Sequence, residues 1–119
     1  MRAAAVALVG ELAYNVPELL PLLEAHLKDQ DGEVLPHIFV ADVERWVEAG
    51  LVDEGGESRP AVRKLLALLE DAAVDGADES VIEVIHASFL EHLPQPGEPC
   101  AEVREMLGPR LTARLRLIG

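Results

Sequence analysis

Glu83 and His86 stand three residues apart, a spacing that sets a carboxylate and an imidazole on one face of a helix. Carboxylate-bridged di-iron bundles use this E-x-x-H arrangement, but they need it twice, with further inward glutamates. This chain has no second E-x-x-H, no H-E-x-x-H and no adjacent His-Asp pair. His86 is therefore read as a surface or satisfied interior residue, and neither metal nor cofactor is expected. Cys100, the sole cysteine, follows Pro99 at an expected helix start, where a thiol pKa can fall. No sequence motif nominates a base beside it, so it reads as an ordinary small residue. Gly55 and Gly56 sit in an acidic loop that would repel phosphate. No enzymatic activity is expected.

The elements that must position these residues are helical. The 119 residues suit a single domain, 1–119, and half of them are hydrophobic, with only Tyr14, Phe39, Trp46 and Phe89 aromatic. A core of Leu, Val, Ile and Ala favours packed helices, and no strand-like alternation occurs. A first helix is expected from about Arg2 to Ala13. Asn15 is the expected N-cap of a second, which carries Pro17 in its first turn and ends near Lys28. Pro36 opens a third helix with Leu35, Ile38, Phe39, Val43, Trp46 and Val47 on its apolar stripe, and Gly50 stops it.

Ser58 and Pro60 restart the chain with Val62, Leu65, Leu66, Leu69 and Ala73 facing inward. The most apolar helix spans about Asp78 to Leu93, and a last pair of short helices flanks Gly108 and Pro109. The expectation is all-α: six or seven antiparallel helices, arranged as a compact bundle or a short helical-repeat-like stack.

Charge carries the strongest functional signal. The chain holds 22 Asp and Glu against 10 Lys and Arg, for a net charge of -12. Residues 1–103 carry net -15 and residues 104–119 net +3. Such an acidic body opposes phosphate contacts, so no nucleic acid is expected. Arg104, Arg110, Arg114 and Arg116 are expected to pair with the protein's own acidic surface or to favour the helix C-terminus. A lone cysteine rules out an internal disulfide, and the Arg2 to Gly10 segment is interrupted by Glu11, so a cytoplasmic location is expected. No apolar run approaches the roughly 20 residues of a membrane span, and no membrane is expected.

Asp42, Glu44, Glu48, Asp53, Glu54 and Glu57 run from one helix face into the following loop. A solvated face is the commoner meaning of such a block. Read functionally, it steers a basic protein toward this surface, with an apolar or aromatic centre supplying tight binding. Trp46 is read as core, and as an interface anchor if exposed.

The run Asp31-Gly32-Glu33-Val34-Leu35-Pro36-His37, the pair Arg45-Trp46, and Ser88 to Glu91 continuing through Leu93-Pro94-Gln95-Pro96-Gly97 resemble a small actinobacterial family of all-helical proteins. The resemblance spans most of the chain and brings no catalytic residues with it. By size, charge and expected compartment, such proteins are similar to immunity proteins of bacterial toxin systems. The leading expectation is a non-enzymatic immunity protein that binds and neutralises a cognate basic toxin domain. The alternative is a cytoplasmic adaptor or regulatory module whose helical groove receives a peptide.

Overall fold

Proline, glycine and apolar spacing divide the chain into seven α-helices in the computed structural model, which describes residues 2–118; Met1 and Gly119, at the ends of the expected domain, lie outside it. They are α1 (Arg2–Asn15), α2 (Leu20–Asp29), α3 (Pro36–Leu51), α4 (Arg59–Ala72), α5 (Glu79–Val84), α6 (Val103–Met106) and α7 (Pro109–Ile118). A 3-10 turn at Pro17–Leu19 precedes α2. A π-helical turn, Ile85–Phe89, and a 3-10 turn, Leu90–His92, continue α5. No strand occurs among the described residues.

Asn15 is not the N-cap of a second helix. It is the last residue of α1, its Nδ2 donating to the Glu11 carbonyl oxygen at 2.8 Å, and Val16 takes the cap position before Pro17. Pro17 cannot continue the hydrogen-bond ladder of α1, and the chain turns there by 112°. At the far end of α2, Asp31 and Gly32 adopt positive φ and the Gly32 N–H returns to the Leu27 carbonyl at 2.7 Å, which closes the helix. Leu35 is extended, as a residue before proline must be, and its carbonyl starts α3 by accepting from the Ile38 and Phe39 N–H groups.

The stripe of α3 is rotated from its expected centre. Phe39, Val40, Val43 and Val47 are fully buried, while Ile38 is 43% exposed and Trp46 packs half-buried at the edge. The expected set holds, and Val62, Leu65, Leu66 and Leu69 of α4, with Ala73 just past its end, all enter the core. A Cβ on Gly50 would lie 2.7 Å from Val62 Cγ2, so the glycine lets α3 and α4 meet closely.

The helix expected over 78–93 is interrupted by the π turn, which adds one residue to a turn while keeping Ile85, Ser88 and Phe89 buried. Its N-terminus is capped by Asp78, whose Oδ1 accepts from the Ser80 N–H and hydroxyl. α7 takes its cap from another helix. Glu70 of α4 accepts from the Arg110 and Leu111 N–H groups at 2.9 and 3.1 Å. Gly108 leaves room for that carboxylate, since a Cβ there would lie 2.5 Å from Glu70 Cδ.

The helices form a bundle, not a stack of repeats. α1 packs on α3, α4 and α5, and α3 packs on α1, α2, α4, α5 and the π turn, so contacts are not confined to chain neighbours. The radius of gyration is 13.6 Å, against about 13.5 Å for a compact chain of this length. No single helix among the described residues is long and apolar enough to cross a membrane.

Candidate binding surface

The expected acidic block does not form one exposed face. Glu44 is 2% exposed and must be removed from any docking surface. Its position explains this: Val40, Val43, Glu44, Val47 and Leu51 follow the helical spacing of an inward stripe. Burial pushes the Glu44 carboxyl up to about 8, and a hydrogen bond and charge from Glu48 add to the effect against the opposing pull of Arg45. A carboxyl so raised is mainly protonated at neutral pH and contributes little to an acidic field.

The other members divide by what they already touch. Asp42 is ion-paired with Arg45. Asp53 holds the loop before α4, its Oδ2 accepting from the Ser58 N–H at 3.2 Å and the Ser58 hydroxyl at 3.1 Å. Glu48 is half-buried, whereas Glu54 and Glu57 are exposed. Arg110 pairs with Glu70, as the sequence led one to expect, but Arg104 donates to the Pro94 carbonyl.

Cys100 does not begin a helix. It lies in a turn before α6 with φ +67°, its thiol 3.5 Å from the Glu48 carbonyl oxygen. Burial pushes the thiol pKa up, and Glu48, Glu102 and Glu44 push it further. This disfavours the thiolate that a nucleophile needs.

A second region draws together residues that the sequence had kept apart. Where the start of α3 meets α1 and α5, an open hollow of about 420 Å³ is lined mainly by apolar side chains, among them Ala5, Leu35, Pro36, Ile38 and Val84. His37, Ser80 and Glu83 supply its polar groups. The α2 residue His26, only 3% exposed, anchors the wall by accepting from the Leu35 N–H at 3.0 Å through Nε2. Its ring packs edge-on to Phe39, with centroids 5.6 Å apart.

The π turn places Ser88 beneath His37, with Oγ and Nδ1 2.8 Å apart. This pair is not arranged for nucleophilic catalysis, because Ser88 is 4% exposed and a substrate has no access to its oxygen. The bond instead orients the His37 ring, which lines the hollow. On the other flank of α5, Glu79, Glu83, His86 and Glu91 border a second hollow of about 440 Å³ together with Ile82 and Ala87. The Nε2 atom of His86 is buried and has no hydrogen-bond partner among the described residues. No three His, Cys, Asp or Glu side chains among the described residues are grouped so as to hold a metal ion.

The hollow was missed because no motif marks it. Its signal is slight: an outward Ile38 beside His37 at a proline-initiated helix start. Trp46, the other candidate anchor, borders a smaller hollow with Ala49, Gly50 and Val52. No curated protein and no solved structure matches the chain. The family described as Domain of unknown function (DUF7674) matches residues 9–116, nearly the whole helical bundle, and the chain belongs to that family.

Proposed function

We propose that the chain is a non-enzymatic binding module for a basic protein and that binding itself is the function. It occludes its partner as an immunity protein occludes a toxin domain. The observation that carries this reading is an open apolar hollow on a body of strong negative charge, the combination that steers a basic protein and then gives it somewhere to bury an anchor. Glu54, Glu57 and the partly exposed Glu48 and Asp42 add to the steering field, and Asp53 acts mainly on its own loop. The actinobacterial, immunity-like character of the family and a cytoplasmic location belong to this proposal.

The hollow also supports the adaptor reading, in which the partner is held without being neutralised. One experiment separates the two. The protein encoded beside this gene is expressed in a heterologous host with and without this chain, and the pair is then co-purified. Rescue of toxicity together with a stoichiometric complex is the expected result. A stoichiometric complex with a harmless neighbour moves the assignment to an adaptor, and absence of a complex rejects this neighbour as the partner and the immunity assignment with it.

A further inference from the structure

The two hollows flanking α5 meet at one residue, because Glu83 borders both. One side is apolar, with Leu35, Pro36, Ile38 and Val84 in its wall. The other is rimmed by Glu79, Glu83 and Glu91, all exposed and without a salt bridge among the described residues. Beneath that rim, the His86 Nε2 has no partner. An apolar seat therefore adjoins a cluster of unneutralised carboxylates across a single helical ridge.

We propose that this double groove is the docking site for a basic segment of a partner protein, one large apolar side chain entering the α1–α3–α5 hollow while neighbouring Lys or Arg side chains meet Glu79, Glu83 and Glu91. The inference rests on the binding-module reading and gives that module's contact point and its ligand chemistry. Charge complementarity selects the occupant. An acidic or purely apolar segment would leave the three carboxylates unanswered, and a purely basic one would leave the hollow unfilled. Neither Glu54 nor Glu57 lines either hollow, so the two sets of carboxylates can be varied separately. His37 lines the same hollow, its Nδ1 2.8 Å from Ser88 Oγ.

The test uses the full chain and a fluorescein-labelled synthetic 12-residue peptide of Lys and Ala with one central Leu, followed by fluorescence anisotropy at about 150 mM salt, where distant charges are screened. A peptide with the Leu replaced by Ala is expected to bind at least about tenfold more weakly. The triple variant Glu79→Gln, Glu83→Gln, Glu91→Gln is expected to weaken the Leu peptide by about tenfold or more, and the double variant Glu54→Gln, Glu57→Gln in the loop before α4 by less than about twofold. Circular dichroism melts verify that both variants fold.

Equal losses in the two variants, or no preference for Leu, overturn the groove assignment in favour of diffuse electrostatic attraction. Binding lost only in the second variant moves the site to the loop before α4 and leaves the module reading standing. Binding by neither peptide also overturns the groove assignment; the module reading is then judged separately by the complex with the natural neighbour.

Discussion

The two ends of α3 are packed differently, although a smaller hollow also borders Trp46 and Gly50 at the C-terminal end. At its C-terminal end, Gly50 lets the helix touch Val62 of α4, and nearby Val47, Leu51 and Leu65 are buried. At its N-terminal end, Pro36 and Ile38 border an open hollow. A helix held firmly at one end can present a partly unfilled surface at the other, because close packing elsewhere supplies the burial that the hollow withholds. Stability and binding thus occupy different turns of the same helix.

The strongest way to break the closed end is Leu65→Ala, which empties a fully buried site and is expected to cost about 2–5 kcal/mol by urea unfolding. At the open end, His26→Ala removes the acceptor of the part-buried Leu35 N–H and the edge-on partner of Phe39. It should cost about 2–3 kcal/mol and additionally weaken peptide binding at the hollow. If both variants weaken peptide binding equally at a temperature where each is folded, the division between the two ends fails.

Glu44 sharpens the comparison through pH. Its carboxyl is raised from 4.5 to about 8 chiefly by burial, so the native chain retains a proton that the unfolded chain releases. Stability from this group is full below about pH 4.5, falls as pH rises toward about 8, and is level above it. Glu44→Gln should flatten that decline, raising stability at pH 8.5 by on the order of 1–3 kcal/mol with little change at pH 4.5. Thermal melts across this range provide the check, and an unchanged slope would show that Glu44 is not the buried titrating group. The smallest effect is expected at Glu70→Ala, which uncaps α7 at a cost of about 1 kcal/mol and should show as faster amide exchange confined to α7.

Much of this architecture was legible in the sequence, for reasons that particular residues make clear. Pro36, Pro60 and Pro109 stand in the first turns of α3, α4 and α7, and the five inward residues read in and just past α4 are all buried. These signals are local, and backbone geometry alone enforces them. The burial of Glu44 was legible locally, since the residue falls on the Val40-Val43-Val47-Leu51 stripe and spacing prevails there over charge. The π turn had no such local signal, because Val81, Ile82, Val84, Ile85, Phe89 and Leu90 suit an unbroken helix nearly as well. The binding surface was least legible, because it depends on α1, α3 and α5 meeting at residues distant in sequence. The exposed acids are plain in composition, whereas an apolar hollow beside them exists only once the helices pack.

The π turn at Ile85–Phe89 also makes the binding face adjustable by chain length. It holds one residue more than a regular helical path requires, so deleting Ala87 would let the helix close into an α-helical path with everything beyond it kept in phase. An insertion in the same stretch would instead turn the following residues by about 100°. Ser88 could then leave its place under His37 while Val81 and Val84 stayed where they are. Phe89, Leu90 and Leu93, all buried, would turn with it, so chain length at this point is tied to the core as well as to the binding face.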